Sequence, residues 1–156
     1  MQPRVAPQIA HAIADGAPIV ALESALITHG FAPPANLKIA RRMEDTIRAA
    51  GALAGTIAVI DGRPCIGLTE TQLAHLAAHG SARKVSLRDL PLTVAQGATG
   101  GTTVAATMYL AHRAGIRVFA TGGIGGVHRG HPEDVSADLS ALASIPIVVV
   151  CAGAKA

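Results

Sequence analysis

The sequence predicts an α/β protein with a mainly parallel sheet flanked by helices and one β-hairpin. Three observations predict it. Short apolar runs such as Ile19-Val-Ala-Leu22 and Ile145-Pro-Ile-Val-Val-Val150 have the character of strands covered on both faces. From residue 102 onward helical and strand patterns alternate, which implies parallel pairing through right-handed crossovers. Half of the 156 residues are apolar, yet the only aromatics are Phe31, Tyr109 and Phe119, so the core must be built from Ala, Val, Ile and Leu. Small side chains of that kind let helices lie close on a sheet.

Residues 1–8 read as a loose lead-in with two prolines, and residues 9–15 as a short helix stopped by Gly16 and Pro18. Residues 18–23 form a buried strand that ends in the carboxylate of Glu23. Residues 29–34 carry a glycine and a proline pair and read as loop. A helix follows over 36–50, capped by Asn36, with Ala40, Met43 and Ile47 on one face and Gly51 as its stop. Thr56 to Ile60 is a strand, Asp61-Gly62 a hairpin turn, and Cys65 to Leu68 the returning strand. Thr69 and Gln72 have capping-box spacing at the head of a helix that reaches His79. Lys84 to Ser86 is a short strand. Gly100-Gly101-Thr102-Thr103 opens a helix to Ala114, with Gly115 as its stop. Ile116 to Ala120 is a buried strand, followed by the glycine-rich loop 121–126. Ser136 caps a helix through Ala143, and residues 145–150 form a last strand that reads as central to the sheet.

The net charge of +3 is mild and its bases form no run, which argues against a nucleic-acid stripe. Arg outnumbers Lys, and the only lysines are Lys38, Lys84 and Lys155. Cys65 and Cys151 have no motif spacing and read as two buried thiols in a reducing compartment. The N-terminus has no apolar signal core and no apolar run is long enough to span a bilayer, so a cytoplasmic protein without membrane contact is expected.

Ligand sites in parallel sheets lie beyond the carboxyl ends of strands. Glu23, the loop 121–126 and Lys155 all follow strands, so the chemically capable residues gather at one sheet edge. An amine led out of the apolar run 148–150 can lose its proton by desolvation and attack a carbonyl. An ordinary solvated terminal lysine accounts for the same position. A carboxylate closing an apolar strand suits proton donation near neutral pH, or caps the next turn. The segment 100–103 can hold a phosphate at a helix N-terminus or serve as a plain N-cap. The loop 121–126 contains no full G-x-G-x-x-G, which argues against a dinucleotide site. Glu133, Asp134 and Asp138, with His128 and His131 nearby, suit Mg²⁺ or Mn²⁺, and equally complement a helix dipole. His11, His29, His75, His79 and His112 read as surface residues.

Taken in order, several stretches resemble the pseudouridine-5'-phosphate glycosidase family. They are Ala21-Leu-Glu-Ser24 with Thr28-His-Gly30, Lys84-Val-Ser86 with Arg88-Asp-Leu-Pro91, Gly101-Thr-Thr-Val104, Phe119 to Gly130, Asp134-Val-Ser-Ala-Asp138 and Cys151-Ala-Gly-Ala-Lys155. The resemblance runs from about residue 18 to the end. It implies reversible cleavage of the C-glycosidic bond of pseudouridine 5'-phosphate, giving uracil and ribose 5-phosphate through a lysine imine-type adduct, with Mn²⁺ in support. By the same resemblance Lys155 is the nucleophile, Glu23 the proton donor and Asp134 a metal ligand. Lys84, Val104, Ser136, Ala137 and Asp138 match substrate contacts, and Thr121 and His128 fall in active-site loops. A C-glycoside has no protonatable atom at the scissile bond, so a conventional carboxylate pair suits it poorly and an imine electron sink suits it well.

The resemblance covers the N-terminal half of a family that forms homotrimers. It therefore implies an incomplete fold, with a split gene, a degraded remnant and a truncated sequence as the three explanations. The partners expected are a nucleotide substrate and either further copies of the chain or a missing C-terminal half. An inactive assembly partner and another Schiff-base enzyme acting on a sugar phosphate, such as an aldolase, are the alternatives. An apolar last strand with nothing beyond it predicts self-association.

Overall fold

The structure, a computed structural model, describes residues 2–128 and 130–154. In chain order the elements are β1 (Arg4–Val5), α1 (Pro7–Ala14), β2 (Ile19–Leu22), a π-helix (Leu26–Gly30), α2 (Ala35–Ala49), β3 (Leu53–Ile60), β4 (Arg63–Ile66), α3 (Glu70–Ala78) and β5 (Arg83–Val85). They continue with α4 (Leu90–Ala95), β6 (Gly100–Thr102), α5 (Val104–Arg113), β7 (Val118–Thr121), β8 (Val127–His128), β9 (His131–Val135), α6 (Ala137–Ser144) and β10 (Val148–Cys151).

Eight strands form one sheet in the order β1-β4-β3-β2-β7-β10, with β6 beside β3 and β5 beside β6. Neighbours β3, β2, β7 and β10 are parallel, as the alternating pattern implies. The expected hairpin is β3–β4, antiparallel from Ile57↔Ile66 to Ile60↔Arg63. Its turn uses Asp61 at φ 48° and Gly62 at φ 72°, the left-handed pair a two-residue hairpin turn requires.

β3 is the pivot of the sheet. Its first half, Leu53 to Thr56, lies parallel to β2, while Ala58 and Val59 pair antiparallel with β6. One long strand thus exchanges a parallel neighbour for an antiparallel one halfway along. Its side chains alternate between two cores, as the two-residue period of a strand requires. Ile57 and Val59 join Ile9, Ile66, Met108, Leu110 and Phe119 under α1 and α5. Ala58 joins Ile27, Cys65, Leu73 and Leu76 under α2, α3 and the π-helix. Helices cover both faces, and the core is aliphatic apart from Phe119.

Several expectations need correction. Asn36 does not cap α2, which starts one residue earlier. Its buried amide donates instead to Ile27 O at 3.0 Å and Ala77 O at 2.8 Å, where helix-end carbonyls lack intrahelical partners. Gly100 to Thr102 is strand β6 rather than a helix opening, because β3 offers it an antiparallel edge. Glu133 and Asp134 lie on strand β9, and the expected loop at His29 begins inside the π-helix. The last strand starts at Val148 and is not central: among the described residues it pairs with β7 alone. Cys151 is exposed. His79 is half-buried rather than on the surface. The capping box of Thr69 and Gln72 is present as predicted. Sequence patterns also did not reveal Glu44, a buried carboxylate on α2 that accepts from Thr56 Oγ1 at 2.5 Å and Arg48 at 2.6 Å.

Two predictions follow from these placements. Val148 and Val150 are 61% and 59% exposed on an edge strand. The 156-residue chain should self-associate at micromolar concentration and the double variant Val148→Lys, Val150→Lys should do so less in sedimentation velocity; a monodisperse wild-type monomer overturns this. Burial pushes the Cys65 thiol up from its ordinary range, against the opposing charge of Arg4. A maleimide at neutral pH should therefore label one thiol per chain quickly, and Cys151→Ser should abolish that fast phase; fast labelling that survives the substitution shows Cys65 to be accessible.

Candidate active site

Glu23 and Ser24 stand where β3 changes neighbours. β2 ends at Leu22, β6 takes over beside β3, and the chain between them must leave the sheet. The polar groups stranded there are satisfied internally. Ser24 Oγ donates to Ile57 O at 2.6 Å and accepts from Thr102 N at 3.0 Å. Thr102 Oγ1 donates to the same carbonyl at 2.7 Å and lies 2.8 Å from Thr107 Oγ1 on α5. Because the Thr102 proton is engaged with Ile57, Thr107 is the donor in that last contact. All three hydroxyl residues are fully buried.

Glu23, released from the ladder, turns toward β7. Thr121 Oγ1, at the end of β7, donates a hydrogen bond to Glu23 Oε1. Two residues expected at the site are thus in direct contact although 98 positions separate them. Thr121 is buried and Glu23 partly so, which leaves the carboxylate held at the carboxyl edge of the sheet.

The glycine-rich loop after Thr121 lies against the segment after β10. Ile124 N donates to Gly153 O at 3.1 Å, and Ile124 forms a parallel bridge with Ala154. Lys155 lies outside the described residues.

A second group assembles at the start of α5. Val104 opens the helix and is buried. Asp138, also buried, accepts from Ala105 N through Oδ1 at 2.9 Å and from Gly125 N through Oδ2 at 2.8 Å. Ser136 caps α6 by accepting from Asp138 N at 3.2 Å, and its own amide donates to Gly126 O at 2.9 Å. Ala137 follows as the first, exposed residue of α6. Thr103 Oγ1, just before α5, is buried and has no hydrogen-bond partner among the described residues. The carboxylate of Asp138 already sits at this helix N-terminus, so an anion placed at the first turn would meet its charge.

The remaining expected residues stand on other elements. Lys84 is exposed on β5 and in register with Gly101 of β6. Asp134 is exposed on β9 and the backbone of His128 lies in β8, in the separate two-stranded ribbon. Among the described residues no group of three or more His, Cys, Asp or Glu could hold a metal ion. A cleft of about 390 Å³ between the π-helix and the end of α3, lined by Thr28, His29, Phe31, Asn36 and His79, contains none of the expected residues. No helix among the described residues is long and apolar enough to cross a membrane.

Comparison with known proteins bears on these placements. A family model described as indigoidine synthase A like protein matches residues 8–156. The chain belongs to this family. It is 55% identical to a pseudouridine-5'-phosphate glycosidase of Saccharopolyspora erythraea, over 98% of this chain and 51% of that protein. The crystal structure of the prealnumycin C-glycosynthase AlnA in complex with ribulose 5-phosphate superposes with a TM-score of 0.89 and 40% identity, over 99% of this chain and 51% of that one. An indigoidine synthase A-like protein from Thermotoga maritima superposes with a TM-score of 0.88 and 33% identity, over 99% of this chain and 50% of that one. The family member described here thus spans about half the length of the curated relatives it matches, and the resemblance seen in its motifs is borne out.

Ser24 and Gly125 were not singled out as site residues in the sequence, although Ser24 adjoins Glu23 and Gly125 lies in the glycine run; Thr102 and Thr103 were read there as part of a segment that holds a phosphate or caps a helix. Gly101 illustrates how tightly the group is packed. A Cβ there would stand 2.4 Å from Thr28 Oγ1 and 2.6 Å from Ser24 O. Gly101→Ala should lower the unfolding free energy by about 1–3 kcal/mol in urea denaturation; an unchanged midpoint would mean that the π-helix can move aside freely.

Proposed function

We propose that this chain carries the nucleophile-bearing half of an enzyme that cleaves, and in reverse forms, the C-glycosidic bond of pseudouridine 5'-phosphate. The observation that carries the reading is the 55% identity to a pseudouridine-5'-phosphate glycosidase over 98% of the chain. The contact between Glu23 and Thr121 at the sheet edge supports it.

In this reading the neutral amine of Lys155 bonds to C1 of the ribose, the ring C–O bond opens, and the ring oxygen takes a proton. The C–C bond to the base then breaks. Its electron pair stays on the uracil carbon, where Glu23 delivers a proton, and C1 is left as an imine to lysine. Water hydrolyses the imine, releasing ribose 5-phosphate and free Lys155. Thr121 orients Glu23 by its hydrogen bond. Lys84, Val104 and residues 136–138 surround the substrate, with Thr121 and His128 in the loops about it. A hard divalent cation such as Mn²⁺ would meet Asp134 as one carboxylate ligand and offset phosphate charge. The same reading takes the chain as the N-terminal half of one α/β unit, acting as a cytoplasmic trimer or with a separate second half.

A second reading has a specific basis. The superposed AlnA is a C-glycosynthase, captured with ribulose 5-phosphate. The same lysine and carboxylate could join a sugar phosphate to an aglycone other than uracil, because imine chemistry at C1 does not depend on the base.

The test is an intact mass spectrum of the chain after incubation with ribose 5-phosphate, Mn²⁺ and borohydride. A pentose-phosphate adduct is expected in the wild type and absent in Lys155→Ala. Glu23→Gln should keep the adduct while uracil release from pseudouridine 5'-phosphate falls by about 10²–10⁴-fold. No adduct from a chain shown folded by circular dichroism would leave an assembly partner that is inactive alone.

A further inference from the structure

Both oxygens of the Asp138 carboxylate accept hydrogen bonds within the protein. One oxygen accepts from Ala105 N in the first turn of α5, and the other accepts from Gly125 N in the glycine-rich loop. The residue is 8% exposed. These two amides belong to segments 20 positions apart, and Asp138 itself starts a third. The contact is close enough to dictate the residue at position 125. A Cβ there would fall 2.1 Å from Ser136 Oγ and 2.9 Å from Asp138 Oδ2. A buried carboxylate that accepts two N–H bonds is well satisfied, and turning it toward a ligand would orphan both donors.

The loop held in this way holds something in turn. Ile124, next to Gly125, donates to Gly153 O and bridges to Ala154. Ser136, two positions before Asp138, donates its amide to Gly126 O. A continuous set of hydrogen bonds thus runs from the start of α5 through Asp138 to the glycine loop, and from that loop to the residues just beyond β10.

We infer that the Asp138 carboxylate has a positioning role: it bolts the glycine loop to the start of α5 and so sets the course of the chain after β10. The placement of residues 153–154 follows from the geometry alone. Its bearing on Lys155 rests on the glycosidase reading.

The experiment is amide hydrogen exchange by NMR on the full 156-residue chain, comparing wild type with Asp138→Asn and Gly125→Ala. Asparagine keeps one acceptor and sets an NH₂ group against the second N–H, so the fold is retained while the bolt is cut. Exchange at Gly125, and at Ile124 beside it, should accelerate by at least about tenfold in Asp138→Asn. Residue 124 should respond likewise in Gly125→Ala, while the β3–β4 hairpin keeps its wild-type protection. Unchanged protection at Ile124 overturns the inference, because the bolt then does not reach the chain after β10. Acceleration that extends equally to the hairpin also overturns it, since Asp138 would then act on global stability alone. The borohydride-trapping assay separates this from the functional reading. If the wild type forms the adduct, Asp138→Asn should lower the saturating trapping rate about tenfold with the half-saturating concentration within about twofold. A raised half-saturating concentration with an unchanged saturating rate overturns the positioning role. A wild type that forms no adduct counts against the glycosidase reading and leaves the exchange result to decide the role of Asp138.

Discussion

Much of this structure depends on how β3 ends one pairing and begins another. A strand that changes neighbours halfway leaves backbone groups without ladder partners, and here those groups lie inside the core. Burying an unpaired amide or carbonyl costs about as much as a lost hydrogen bond, so such a junction persists only if side chains satisfy it. Ser24 and Thr102 do so, sharing the carbonyl of Ile57 between their hydroxyls. Their small size matters as much as their polarity. The main chain of Ser24 and the hydroxyl of Thr28 approach β6 so closely that a Cβ at residue 101 would have no room.

That junction frees the end of β2 to carry chemistry. Residues past a strand end are released from the alternation that would send one side chain to each face. Glu23 uses this freedom to reach Thr121 at the end of the neighbouring parallel strand. Parallel strands bring their carboxyl ends to one edge, so β2, β7 and β10 deliver Glu23, Thr121 and the segment through Ala154 to the same side of the molecule. The position of a ligand site at such an edge is a property of the topology before it is a property of any residue.

Electrostatics then divides the labour between two neighbouring regions. The N-terminus of α5 is the obvious place for a phosphate, yet its dipole is already complemented by Asp138. The exposed amine of Lys84, across β5 and β6, carries no such competing carboxylate in its strand. The helix start therefore serves cohesion, joining α5, α6 and the glycine loop, while the exposed Lys84 stands on the flank of the sheet.

Most of the secondary structure was legible in the sequence because it rests on local rules. Asp61-Gly62 can scarcely be other than a hairpin turn, Thr69 and Gln72 form the capping box their spacing announces, and the apolar runs read at 18–23 and 116–120 are parallel strands over 19–22 and 118–121. The motifs around Glu23, Gly101 and the glycine run also declared the family. What the sequence could not declare was decided by partners distant along the chain. Gly100 to Thr102 reads locally as a helix opening and becomes a strand because β3 presents an open edge to it. Asn36 reads as a cap and becomes a tie between two helix ends because both carbonyls meet it in the core. Asp138 reads as a ligand-facing acid or a complement to a helix dipole, and the fold adds two internal amides, of Ala105 and Gly125, that its carboxylate satisfies. Local propensity determined which elements form. Only the tertiary structure determined which buried polar groups had to meet, because that demand arises once the chain is packed and water is gone.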